Sequence, residues 1–341
     1  MDSIGSRVSI FRGIFALKPV ERDFIGRDEF VADLRVELEE DREDIYHYQE
    51  LLIALGLLSE GDDLFDLMIE LRGEGVISFF DTEDEKLYIF DDGSEFGPYQ
   101  HMIYAHEFVH ALQQDRFDIH AIGESLKTNS DRGRAFLALI EGDATFSQSI
   151  YVFQQLDPDQ QGAIVEAVQA SPRDVFDSAP YVLQRTTTFP YLVGPSFVFE
   201  LYLTENDWDP VNRAFESLPA STEQVLHLDK YLAGEEPIVV ELPDVAGALD
   251  PGWAVLDEDT MGELLLAVYL ETGVAPERAA QAAAGWGGDR YVLLSGPDEA
   301  TVLASLIAWD TENDARDFHQ AFLDHMRGLT GQEWETSDAE V

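Results

Sequence analysis

Between positions 27 and 73, apolar side chains recur every three or four residues, the spacing of helices with one buried face. "RDEFVADLRVELEEDREDIYHYQELLIALGLL" (27–58) predicts helix, and "DDLFDLMIELRGEG" (62–75) a further helix ended by glycine. The pattern then changes. "GVISFFDTEDEKLYIFDD" (75–92) holds two β-rich runs around the polar "DTEDEK", which predicts a hairpin over 76–90. Helical spacing returns around "YAHEFVHALQQDRFD" (104–118), where Met102, Ile103, Ala105, Val109 and Leu112 form an apolar side. A polar connection (120–133) leads to a helix over 134–156, and another follows around "PSFVFELYLTEN" (195–206).

A turn-rich region runs to about Pro251, and its Pro- and Asp-rich stretch at 240–252 is the boundary candidate. Beyond it the pattern predicts helix "TMGELLLAVYLET", an Ala-rich helix, strands "RYVLL" and "TVLASLIAW", and helix "NDARDFHQAFLDHM". The expected fold is mainly α (α+β) with a small antiparallel sheet. Residues 1–74 are expected to form an N-terminal helical segment of the core and 75–205 the core around the HExxH helix. Residues 206–341 are expected to form a C-terminal helical and α+β portion, either part of the same domain or with the unit after about 250 packed on the core or set apart as a small lobe.

The charge is far from ordinary. Sixty-eight acidic residues face 21 basic ones, for a formal net charge of −47, and arginines outnumber lysines 17 to 4. So much like charge opposes compaction in dilute salt, and screening relieves it as the Debye length falls to about 3 Å at 1 M. An acidic, lysine-poor composition resembles that of proteins from salt-accumulating halophiles. The field repels nucleic acid and anionic membrane, which excludes both as expected partners. With no cysteine, disulfides, thiolate ligands and a cysteine nucleophile are excluded. No apolar run approaches the roughly 18 residues of a membrane span. The N-terminus lacks the apolar region and cleavage site of a signal peptide, so the expected location is cytoplasmic unless the natural N-terminus is longer.

The chemistry concentrates at "HEFVH". In a helix, positions i and i+4 share a face about 6 Å apart, so His106 and His110 can offer ring nitrogens to one ion. Glu107 points roughly 100° away, beside such an ion, where it can take a proton from water. Zinc can lower the pKa of that water to about 7. A catalytic zinc needs a third protein ligand. The pattern HExxHxxGxxH fails, because Gln113 and Arg116 stand where glycine and histidine are needed. "LALIEGDATF" supplies a carboxylate, Glu141, thirty-one positions after His110 in an otherwise apolar helix. A carboxylate on an apolar face costs several kcal/mol unless it is paired or binds metal. Gly142 and Ala144 beside it would let another helix approach closely. His120 and Asp143 stay open as other ligands, and Asp143 also as a partner for a ligand histidine's second nitrogen.

"HEFVH" followed by "EGDAT" resembles the gluzincin metallopeptidases, and more narrowly a group of prokaryotic gluzincin-like proteins. "FFDTEDEKLYIFDD", "FPYLVGPSFV", "STEQVLHLDKY" and "GWGGDRYVLL" match that group as well, so the resemblance covers most of the chain from about residue 50. It implies a zincin-like core with His106, His110 and Glu141 as zinc ligands and Glu107 as general base. The implied activity is hydrolysis of peptide bonds in a peptide or unfolded protein, and the hairpin would supply an edge strand for that substrate. His227 or Tyr191 would donate to the oxyanion. No GxMEN-type segment is present, so the resemblance does not extend to the aminopeptidase branch. The alternative expectation is a metal-stabilised binding or scaffold protein without hydrolytic activity.

Overall fold

The computed structural model describes residues 1–90 and 96–331; the "GSEFGP" connection (93–98) lies partly outside them. The chain opens with α1 (Asp2–Arg12), which ends where Gly13 takes a φ of 75°, a left-handed conformation that costs glycine little. Then come β1 (Glu21–Ile25), α2 (Arg27–Glu40), α3 (Arg42–Ala54) and α4 (Leu64–Gly73). The hairpin follows as β2 (Ser78–Asp81) and β3 (Lys86–Phe90), with Phe79 opposite Tyr88. β1 joins β3 in parallel, giving the order β1-β3-β2, so this sheet is mixed and not antiparallel throughout. The expected helical segment over 1–74 named no particular helix before 27, where α1 lies, and β1 departs from it. Four of the five residues of β1 are exposed, so the strand has no alternating apolar face for sequence to reveal. The helical run 27–58 is divided at Asp41, between α2 and α3.

α5 (Pro98–Phe117) carries HEFVH. Its first turn begins with proline, Gln100 accepts from the Gly97 N–H at 3.1 Å, and the left-handed Asp118 ends it. The helix is buried nearly all round, which is why its apolar stripe is diffuse. α6 (Ile119–Ser125) is followed by the 26-residue α7 (Ser130–Gln155), whose first turn is capped by the Asn129 side chain on the Arg132 N–H at 2.9 Å. α8 (Pro158–Ala170), α9 (Asp174–Ser178), α10 (Tyr181–Leu192), α11 (Gly194–Glu205) and α12 (Asp209–Glu216) complete the region around α5 and α7.

The stretch expected to be turn-rich contains the short helices α13 (Thr222–Leu226), α14 (Leu228–Ala233) and α15 (Val245–Ala248). The last part builds a second, antiparallel sheet of order β4-β5-β6 from β4 (Ala254–Asp259), β5 (Trp286–Ser295) and β6 (Thr301–Trp309). With it pack α16 (Gly262–Glu271), α17 (Pro276–Ala283) and α18 (Glu312–Thr330). β4 was not expected; its sequence AVLDED ends in three acidic residues in four. This unit is bonded into the rest. Asp259 accepts from Ser130 N–H at the start of α7 at 3.0 Å, and Arg185 of α10 pairs with Glu271 of α16 at 2.7 Å. One apolar cluster runs from Ile25 to Ala321 through both units. A second joins α1, β3, α5 and the later turns of α7. α7 passes between the two, giving Ile140 to one and Ala144 to the other.

α7 and α11 touch backbone to backbone. A Cβ on Gly142 would lie 2.4 Å from the Gly194 carbonyl, and one on Gly194 would lie 2.2 Å from the Ala138 oxygen. Backbone cannot rotate away as a side chain can, so the overlap outweighs the helix propensity that alanine adds. Gly142→Ala should destabilise the protein by about 1–3 kcal/mol. Gly162→Ala, where nothing lies within 4 Å, should stabilise it by about 0.5–1 kcal/mol. Urea titrations of the two variants in high KCl check both signs.

Candidate metal centre

α5 and α7 bring three donors to one point. His106 Nε2 lies 3.1 Å from His110 Nε2 and 3.1 Å from Glu141 Oε2, and His110 Nε2 lies 3.4 Å from the same oxygen. Side-chain exposures of 11, 10 and 13% leave the group reachable from solvent. The four-residue step in α5 sets the two rings edge to face, with centroids 4.8 Å apart and planes at 80°. Glu141 arrives at the level where glycine and alanine let α7 pack tightly against its neighbours.

The arrangement turns two ring nitrogens and a carboxylate oxygen toward one point. His110 Nδ1 donates to Gln113 Oε1 at 2.9 Å, so in a neutral ring its Nε2 is a lone pair aimed at another ring nitrogen and a carboxylate. Such a set calls for a proton or a cation. Its edges of 3.1, 3.1 and 3.4 Å match the roughly 3.3 Å separation of ligands held about 2.0–2.1 Å from a tetrahedral zinc. The donor set therefore fits zinc. In the metal-free protein a proton takes the position. Burial opposes charge on His110, but the charge and hydrogen bond of Glu141, then the charge of Glu107 and the Gln113 bond, carry its pKa up to about 9. Burial likewise opposes charge on Glu141, yet His110 and the hydrogen bonds from both rings hold it well below the usual carboxylate range.

Glu107 stands on the next position of α5. Its Oε2 accepts from the Phe80 N–H of β2 at 3.0 Å. Ile77 and Phe90 share a ladder hydrogen bond, so alternation points the Phe80 N–H away from β3 and toward the outer edge. Among the described residues, β2 pairs with β3 alone. The edge strand thus meets the glutamate directly. Burial raises the pKa of Glu107, with the two histidines opposing. Tyr191, near the end of α10, lays its ring 6.3 Å from that of His106 at 28° and keeps its hydroxyl protonated. The residue as a whole is 46% exposed, but desolvation of its hydroxyl end, then the charges of Glu141 and Glu107, raise its pKa.

Three other expectations fall elsewhere. His227 Nε2 bonds Glu263 Oε1 at 2.9 Å, beside Glu223 and Lys230. No described contact links it to the three donors, because α13 and α14 turn it toward α16. His120 faces Thr82, with Nδ1 3.3 Å from the hydroxyl. Asp143 does not touch a histidine. It is fully buried and pairs with Arg12 at 2.6 Å, while Gln113 takes the place at His110. Gln113 and Arg12 were missed. Gln113 sits one turn after His110, a spacing that could have flagged it, whereas Arg12 lies 131 positions from its partner and gives no local signal.

Among the described residues no helix is long and apolar enough to cross a membrane. No curated protein and no solved structure matches the chain. A family described as Domain of unknown function (DUF8575) matches residues 254–340, the part that begins with β4 and lies outside the residues of the candidate centre.

Proposed function

We propose that the chain is a zinc-dependent metallopeptidase with a zincin-like core, in which His106, His110 and Glu141 hold the metal. The observation that carries this reading is the convergence of the three donors beside Glu107, a carboxylate anchored to an edge strand. Zinc held there would supply Lewis acidity toward a peptide carbonyl and toward water. Glu107 accepts the proton of the attacking water and passes it to the leaving amide nitrogen, a role helped by a carboxyl that burial makes more basic. The Tyr191 hydroxyl donates to the oxyanion as it forms. An extended peptide pairs with the outer edge of β2, which sets its carbonyl next to Glu107. Solvent access to the donors and a carboxylate of raised pKa beside them favour hydrolysis over a scaffold role, since a closed structural site has no use for a base.

Glu107→Gln keeps the Phe80 contact but cannot take a proton. It should retain zinc and lose cleavage of an unfolded substrate in multimolar KCl by a factor of about 10²–10⁴. Cleavage at the wild-type rate would refute the assignment of the base. Tyr191→Phe should reduce the rate by about 10²–10³ at unchanged zinc content, read in the same assay.

Binding should also be coupled to protons. The metal-free site holds His110 charged until pH rises through about 9. A group whose pKa is raised by folding stabilises fully below its ordinary value of about 6.5 and loses that contribution as pH rises through the folded value. Glu141, lowered on folding, loses its contribution as pH falls. Zinc must displace the His110 proton, so apparent affinity should rise about tenfold per pH unit from 7 toward 9. Calorimetry in buffers of different ionisation enthalpy should find about one proton released per zinc at pH 7; no release would contradict this account of the site.

A further inference from the structure

The metal centre described above does not end at its ligands. Gln113 has its amide orientation set from behind: Nε2 donates to the Ile140 carbonyl at 3.0 Å and to Asp143 Oδ2 at 3.0 Å. Its Oε1 is thereby left to face His110 Nδ1. Asp143 is in turn clamped by Arg12, whose Nε and Nη2 reach its two oxygens at 2.6 and 3.0 Å. Arg12 is itself positioned on two further sides. Its Nη1 donates to Asn212 Oδ1 at 2.8 Å, its guanidinium lies 4.3 Å from the centre of the Trp208 ring, and that indole donates to the Phe11 carbonyl at 2.6 Å. Both members of the ion pair are sealed from solvent, at 0% side-chain exposure.

We propose that Arg12 is a positioning residue of the zinc site, acting through Asp143 and Gln113 to fix the ring of His110, so that the N-terminal helix is a working part of the metal centre. The inference rests on the metal-centre reading. An amide turned by half a rotation would present N–H to His110 Nδ1 and favour the tautomer whose Nε2 carries the proton, which cannot ligate. The Arg12–Asp143 pair opposes that turn, because a clamped carboxylate accepts only from the Nε2 side of the amide. A buried arginine that served packing alone would have no reason to influence one histidine's tautomer. The bidentate geometry and the cation over the indole suit guanidinium and not ammonium.

The test is a double-mutant cycle on zinc affinity, measured by competition with a chromophoric chelator in high KCl, using Arg12→Met and Gln113→Leu. Each variant should bind zinc about 10–100-fold more weakly than wild type. The double variant should be no more than about twofold weaker than the weaker single one, because both break one chain of contacts. In zinc-loaded protein, the His110 Nδ1 proton should be protected from exchange in wild type, unprotected in Gln113→Leu and faster to exchange in Arg12→Met than in wild type. Where Arg12→Met does not fold, the same cycle is run with Arg12→Lys, with the same coupling expected at smaller loss. A folded Arg12 variant that binds zinc as wild type does, or effects that multiply in the double variant, overturns the inference and leaves the ligand assignment standing. A wild type that binds no zinc overturns both.

Discussion

Two imidazole nitrogens and a carboxylate oxygen, held 3.1–3.4 Å from one another at a largely buried point that solvent still reaches, form the constraint around which the molecule is organised. Lone pairs brought this close repel unless a proton or a cation lies among them. Holding them there takes rigidity, and the fold supplies it from two helices buried on most sides. The contact between Gly142 and Gly194 fixes how α11 lies on α7, one residue from Glu141. The Phe80 amide fixes Glu107 from the sheet side. Behind His110, the chain of contacts through Gln113 and Asp143 ends on an arginine from the first helix.

The C-terminal unit bears on the same helices from the other direction. Asp259 caps the start of α7, and Asp131 in its first turn accepts from the Thr222 hydroxyl and N–H, the latter at 3.0 Å. Thr222 in turn receives the Leu264 N–H of α16 at 3.2 Å. This junction ties α7 to α13 and α16 through a carboxyl group whose pKa burial raises. The described part of the segment that matches a family of unknown function is thus packed against the helix that bears Glu141, and among the described residues it contributes no donor to the group.

How much could be read from sequence follows from the range of the interactions. The helical spacing of 27–73, the hairpin, both ligand helices, and strands β5 and β6 were legible because each buries a face whose period is written locally. His106, Glu107 and His110 were legible because one turn of helix places them. Glu141 required a further argument, that a carboxylate among apolar residues needs a partner, and the structure supplies two imidazoles. What stayed hidden depends on distant contacts. β1 is exposed and pairs in parallel with a strand 65 positions later in register, Glu21 with Lys86. Arg12 carries no local signal of its role, yet it is the buried partner of Asp143. His227 was chosen for its chemistry, and its short helices carry it to Glu263 instead. Tyr191 was chosen on the same grounds, and the close packing of α10 and α11 on α7 brings it to His106.

The central claim is that His106, His110 and Glu141 together hold a metal ion. It is tested most directly by metal analysis, using mass spectrometry on wild type and Glu141→Ala purified in high KCl without chelators or immobilised metal. The account predicts about one zinc per wild-type chain, lost or greatly reduced in the variant. A wild type free of zinc, or a variant that keeps the wild type's full complement, would contradict it.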